Sequence, residues 1–439
     1  MTGGRWTVPQ SWEWVRSKDV AKIVGGGTPK TNDPGNFSDS GIKWITPADL
    51  TGYSSAYISG GRRDLSEKGY SSCGASLLPK RTVLFTSRAP VGYCAIAANE
   101  ISTNQGFKSL VLEGDISPEY IRHYLLASKE YAESLASGTT FLELSGKRMG
   151  DLQLPLPPLP EQRRIVRKLD RLTAHSTKAR THLTALKTLV ERYKAAVLGS
   201  IFGGMRAEEQ SLRALSLMVT SGSRGWAKYY SDTGPLFIRV GDTKRGSLEL
   251  DLSSVQHVSP PSNAEGQRTR LQESDIVVTI TADLGRVGIV PNDLGEAYIN
   301  QHVALIRLKE PDYSRYIGWF LISSLGQKQL FENDRGATKS GLGLDDIRAV
   351  SIPLPPLEEQ REIVRRIDAA FARIDLLAAE AERALTLVGH LDQRILERAF
   401  SGGLVSQNPE DEPAAALLAR IKAARAAATA RKRRSRAKA

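Results

Sequence analysis

Two stretches of this chain, LPLPPLPEQRRIVRKLD from residue 154 and IPLPPLEEQREIVRRID from residue 352, repeat one pattern at an offset of 198 residues. Proline suits the first turn of a helix and disrupts its interior. After Pro160 and Pro356 neither proline nor glycine appears until Gly199 and Gly389, so each motif opens a long helix. In the first, Ile165, Leu169, Leu172, Leu183, Leu186 and Val190 fall on a stripe with alternating steps of four and three. Ile363, Ile367, Ile374, Leu377, Val388 and Leu391 continue the same pattern in the second. A seam of this period is that of a coiled coil, and the economical partner for each stripe is the other. Residues 205–351 must join the end of one helix to the start of the next, which favours antiparallel packing.

The 439 residues therefore divide into two copies of one unit. The expected boundaries are 1–153 for a first globular domain, 154–204 for a central helix, 205–351 for a second domain and 352–408 for a distal helix. Residues 409–439 form an Ala/Arg/Lys-rich basic tail expected to be flexible. Upstream of the helices the copies match in patches: STNQGFKSLVLEG resembles YINQHVALIRLKE, and TVLFTSRAPVGYCAIA resembles DIVVTITADLGRVGIV. Strand-like runs precede amphipathic helices in both, which predicts an α+β class. The whole is expected to be two tandem α/β domains separated by a pair of long antiparallel coiled-coil helices, a pseudo-twofold internal repeat with a domain at either end of a rod.

Between the patches the copies differ, GGGTPKTNDPGNF being answered by TSGSRGWAKYYSDTG. If the copies bind different ligands, shared residues cannot tell those ligands apart. Asn104, Gln105, Asn300 and Gln301 are then scaffold or backbone-contacting positions. The discriminating side chains belong to the divergent loops: Lys30, Arg62, Arg63 and Arg88 in the first copy, and Arg224, Trp226, Lys228, Tyr229, Lys244, Arg245 and Arg286 in the second. Arginine and lysine suit guanine edges and phosphates, and amides pair with adenine.

The formal charge of +12 is concentrated after Glu412, where nine cations and no acidic residue leave only +3 for the rest. The tail reads either as an electrostatic arm or as a solvated segment. No apolar run is long enough to span a bilayer and no signal pattern opens the chain, so the expectation is a cytoplasmic protein with no membrane partner. Cys73 and Cys94 lack a C-x-x-C partner and the histidines are scattered, which predicts neither disulfide nor metal site. GGGTPK lacks the ending of a P-loop, and no catalytic constellation stands out. The expectation is a chain that is no enzyme and binds no cofactor of its own.

A tandem of divergent domains, each followed by PLPPL-x-EQ and a long helix ending near LGSIFGG or LERAFSGGL, resembles the specificity subunit of type I restriction-modification systems. GGGTPK, IKWITPADL and the NQGF stretch carry the resemblance into the first domain; the basic tail lies outside it. The resemblance implies that each domain reads one half of a bipartite target in double-stranded DNA, with the helices fixing the spacer. It also implies two modification subunits that use S-adenosylmethionine to methylate adenine, and restriction subunits that use ATP and Mg. Two other readings stay open: a related restriction enzyme whose partner fuses nuclease and methylase, and a coiled-coil adaptor with no DNA function.

Overall fold

The structure, a computed structural model, describes residues 6–138, 142–261, 264–332 and 341–436. Two compact units emerge, Met1–Ala179 with Leu387–Ala439 and Arg180–Thr386, so each long helix contributes to both.

The first unit is built on strands β1 (Ala21–Gly25), β2 (Tyr57–Ile58), β3 (Val83–Ser87), β4 (Val91–Ala97) and β5 (Lys108–Leu112), in the order β1-β5-β3-β4-β2. Side chains alternate across a strand, and β3 uses both faces. Val83 and Phe85 pack under the Pro118–Ala127 helix with Tyr120, Ile121 and Tyr124. Leu84 joins Ile45, Ala95, Ala97 and Phe107 on the other side.

The second unit repeats this plan with β6 (Ser216–Ser221), β7 (Ile276–Thr279), β8 (Val287–Ile289) and β9 (Val303–Leu308), in the order β6-β9-β7-β8. Leu110 stands opposite Ile23 and Val83 in the first sheet, and Ile306 opposite Val219 and Ile276 in the second. Here Ile276 and Val278 pack under the Ser314–Ile322 helix, while Val277 faces Ile238, Ala297 and Ile299.

Helices α1 (Leu159–Phe202) and α2 (Leu357–Phe400) are 44 residues each. The repeated motif fixes how each begins. Gln162 donates from Nε2 to the carbonyl of Pro157 at 2.9 Å and accepts the Ser117 N–H at 2.9 Å. Gln360 makes the corresponding bond to Pro355 at 2.8 Å. Tyr120 and Tyr316 tie the segment before each long helix to the helices Pro118–Ala127 and Ser314–Ile322 by donating to the carbonyls of Pro155 at 2.9 Å and Pro353 at 2.5 Å.

The helices run antiparallel. In the second unit Lys187 pairs with Glu382 at 2.7 Å and Lys194 with Asp375 at 2.5 Å, so advance along α1 is retreat along α2. Consequently the end of α1 completes the core of the second unit, where Phe202 meets Tyr316 at 5.7 Å and Phe320 at 5.4 Å. In the first unit the end of α2 takes that place, with Phe400 at 5.7 Å from Tyr120 and 5.2 Å from Tyr124.

The seam is closed near these ends and open between. Ile165, Leu169, Ile363, Ile367 and Ile374 are buried, and Leu172, Leu183, Val190 and Val388 are half-buried. Leu186 is 40% exposed, Leu377 67% and Leu391 55%, unlike the continuous dry seam that the heptads suggest. In the second unit the small side chains of Ala370, Ala381 and Ala384 sit across from Leu183, Leu186 and Tyr193, leaving a groove of about 760 Å³.

The basic tail also departs from expectation. Residues Ala414–Arg436 form a helix, α3, whose Ala414, Leu417 and Ile421 are buried in the first unit's core. A chain segment with that apolar spacing and six alanines from Ala414 to Ala424 has both the propensity and the face needed to dock. Lys438 lies outside the described residues.

Candidate nucleic-acid interface

In the first unit three loops converge on a cleft of about 850 Å³ lined by Thr46–Ala48, Arg88–Val91, Asn104 and Gly106, with Glu133, Leu142 and Glu143 at its margin. The loops are held by local hydrogen bonds. Asp49 accepts from the Thr46 N–H at 2.8 Å and from its hydroxyl at 2.7 Å, fixing the ITPADL turn. Asn104 turns the chain by accepting the Gly106 N–H at 2.9 Å, and its own N–H donates to Ile45 at 2.9 Å. Gly106 has to be small because a Cβ there would lie 2.9 Å from Pro47 Cγ.

Of the side chains singled out in this unit, Arg88 and Asn104 line the cleft and Gln105 lies beside it, its Oε1 accepting the Thr28 hydroxyl. Arg88 and Lys108 both stand 3.5 Å from Glu143, so the cations of that rim share a carboxylate, and Glu133 adds a second acidic group to the margin. The side chain of Arg62 is 82% exposed and its N–H holds the same Asp49 at 3.0 Å. Lys30 and Arg63 are placed elsewhere, Lys30 on the loop leading to Phe37 and Arg63 just before the strand Asp64–Leu65 that pairs with Phe37–Ser38. Arg63 stacks its guanidinium 3.8 Å from the Phe37 ring, and Lys30 is exposed.

The second unit builds the same turns from different chemistry. Asp242 accepts the Arg239 N–H at 2.7 Å as Asp49 accepts that of Thr46, and Asn300 accepts the His302 N–H at 3.0 Å. Where the first unit has Gly106, His302 projects an imidazole. Gln301 Nε2 donates to its Nε2 at 2.8 Å, and the Thr281 hydroxyl meets its Nδ1.

Arg286 is locked to Asp283 at 2.8 Å through Nε and to the Thr243 carbonyl at 2.8 Å, and Arg245 joins the same carboxylate. The two guanidiniums, Arg286 first, hold Asp283 below the usual carboxylate range. Lys244 pairs with Asp251 at 3.2 Å. Arg224 and Lys228 are exposed, and Lys228 lies 4.8 Å from the Tyr229 ring.

Trp226 does not belong with the surface candidates. It is 2% exposed, stacks on Phe237 at 5.0 Å and meets Tyr298 at 5.6 Å. Its divergence from the first copy reflects a different core under the Tyr230–Ile238 strand, and Tyr229 packs on its edge at 5.9 Å. Conversely, Asp49, Asp242, Thr281 and His302 hold the turns and were not singled out in the sequence. The match of ITPAD with IRVGD, and of NQG with NQH, is the signal that exposes them.

Guanidiniums, amides and an imidazole in loops over matched scaffolds provide hydrogen-bonding surfaces for base edges and phosphates. Among the described residues no group of three or more His, Cys, Asp or Glu is placed to hold a metal, and no helix is long and apolar enough to cross a membrane. Such an arrangement defines a tandem recognition protein. A family model, the type I restriction modification DNA specificity domain, matches residues 9–187 and 237–385, and the chain belongs to that family. Its role is DNA target recognition in a type I restriction-modification system.

The specificity subunit of type I restriction enzyme EcoBI from Escherichia coli is 29% identical across 98% of this chain and 95% of its own length. That of MjaIX from Methanocaldococcus jannaschii is 39% identical over 161 residues, covering 36% of this chain and 37% of the relative. Among solved structures, a chain from work on complex assembly and conformational transition of the type I R-M system superposes with a TM-score of 0.73 at 20% identity. It covers 91% of this chain and 100% of its own. The crystal structure of the HsdS subunit from Thermoanaerobacter tengcongensis gives 0.58 at 21% identity, over 92% of this chain and 100% of that one. Both share its fold.

Proposed function

We propose that each globular unit reads one half of an asymmetric bipartite sequence in double-stranded DNA, and that α1 and α2 set the length of the unread spacer. The observation that carries this reading is the pairing of sameness with difference. The Asp49/Asp242 and Asn104/Asn300 turns are shared, while Gly106 and His302, or Arg88 and the Arg245–Asp283–Arg286 cluster, differ at the surface those turns present. One frame with two chemistries is what two different half-sites require.

Catalysis belongs to partners on this reading. Two modification subunits dock on the helical regions, where the groove beside Leu186 and Leu377 offers apolar surface, and use S-adenosylmethionine to methylate an adenine in each half-site. Restriction subunits supply ATP- and Mg-dependent cleavage. The protein works in the cytoplasm, where its DNA is. The test is to replace residues 12–153 with those of another specificity subunit and sequence the modified adenines. One half of the methylated sequence should change while the other half and the spacer persist; a change in both halves would refute the reading.

A further inference from the structure

The helix α3 has two parts with opposite character. In the first, every described cation that reaches the domain is matched by a carboxylate. Arg420 bonds Glu412 through Nη2 at 2.8 Å, and Arg425 bonds Glu113 and donates to the carbonyl of Lys18 at 2.8 Å. Leu417 and Ile421 are buried beneath, where Gly114 (φ 71°) makes room: a Cβ there would lie 2.8 Å from Ile421 Cγ1. This half is a dock.

The second part begins after Arg425 and has no apolar residue larger than alanine. It carries Arg431, Lys432, Arg433, Arg434 and Arg436 within the helix, with no acidic residue anywhere after Glu412. Successive helix positions are turned by about 100°, so the four consecutive cations Arg431 to Arg434 occupy positions spread around the axis. A few cations beside a helix C-terminus are favoured by its dipole, but that preference acts over one turn and does not call for charge on every side. Like charges this close repel one another. A helix that keeps them there is suited to a polyanion.

We propose that α3 is a docked arm that binds phosphates of duplex DNA outside the recognised bases, without reading sequence. The inference rests on the reading that the first unit sits on duplex DNA. Its anchor at Arg425 and its end at Arg436 are separated by roughly 16 Å of helix at ~1.5 Å per residue, about five base-pair steps of ~3.4 Å. The five cations from Arg431 to Arg436, with no acidic residue among them, would supply much of the non-specific affinity that the nearly neutral chain before the tail lacks.

The test uses the chain assembled with its modification partner and two fluorescent duplexes, one carrying the methylated target and one scrambled. Arg431, Lys432, Arg433, Arg434 and Arg436 are all changed to Gln, a good helix former. Affinity is measured from 50 to 300 mM salt. For each phosphate that is no longer neutralised, the slope of log K against log salt should flatten by about 0.9. We expect a flattening of at least about 2, with equal fold losses on both duplexes and an unchanged preference for the target. An unchanged slope overturns the inference. So does an unchanged slope with weaker assembly of the modification partner, which would make the anion a protein. If the unaltered complex shows no preference for its methylated target, the recognition reading fails instead, independently of the slope.

Discussion

At the scale of single residues, the divergent loops contain two kinds of difference that sequence alone does not separate. Trp226 and Arg62 are both large, polar-capable residues in unmatched stretches, yet one is stacked in a core and the other projects into solvent. Trp226→Ala should therefore destabilise the second unit by about 3–5 kcal/mol, the usual cost of removing a buried aromatic side chain. Arg62→Gln should leave stability within about 0.5 kcal/mol and act on target methylation alone. Chemical denaturation of the two variants checks this contrast. A second difference lies where each domain helix meets a long helix: His123 bonds Asp170 at 2.8 Å, whereas the equivalent Trp319 bonds Asp368 at 3.0 Å. Burial lowers the His123 pKa below its ordinary 6.5, with Asp170 opposing. The unfolded chain therefore takes up this proton first. The contribution of neutral His123 is intact above pH 6.5 and is lost as pH falls through its native value. His123→Trp, copying the second unit, should remove that part of the acid sensitivity; urea midpoints at pH 7.5 and 5.5 would converge if it does.

At the scale of elements, the helices were the most legible part of the sequence and their packing the least. The prolines mark their starts and Gly203–Gly204 and Gly402–Gly403 their ends, both helices running through Gly199 and Gly389. A 3.5-residue stripe with Ser176 as its polar exception marks their faces, because local sterics and burial both act within a few residues. What periodicity cannot report is how large the facing side chains are. Ala370, Ala381 and Ala384 leave Leu377 and Leu186 uncovered, although the stripe itself has a single polar position, Ser176. The recognition loops were legible only as places of divergence, since which of their side chains turn outward depends on contacts with distant strands such as Tyr230–Ile238. The tail is opaque for a related reason: its composition is that of a solvated segment, but Leu417 and Ile421 at i and i+4 were enough to dock it. Antiparallel pairing also gives each helix end a role in the unit that its own start does not belong to. Phe400→Ala should cost the first unit about 3–5 kcal/mol and speed amide exchange in the Pro118–Ala127 helix while sparing Ser314–Ile322. Phe202→Ala should show the reverse, and mass-spectrometric exchange distinguishes the two patterns.

At the scale of the whole molecule, the register of α1 against α2 decides how spacer length can be altered. In the second unit the step from Lys187 to Lys194 is answered by the step from Glu382 back to Asp375, and in the first unit Leu169 and Phe400 share one core. Lengthening α1 alone would slide one half of this pairing past the other, parting either the ion pairs of the second unit or the Phe400 contacts of the first. Matched insertions avoid that conflict. Four residues placed after Thr177 and four after Asp392 are close to one helical turn each, so both stripes stay in phase while the pair grows by ~6 Å. On the proposed reading that is close to two base-pair steps of ~3.4 Å. The doubly inserted protein should methylate both original half-sites at a spacer about two base pairs longer, whereas the single insertion in α1 should lose most modification. Inserting two residues at each place turns everything beyond by roughly 200° and should abolish it. Sequencing modified adenines in cells carrying each variant decides the matter: if the matched variant remains active only on the original spacer, α1 and α2 do not set that distance.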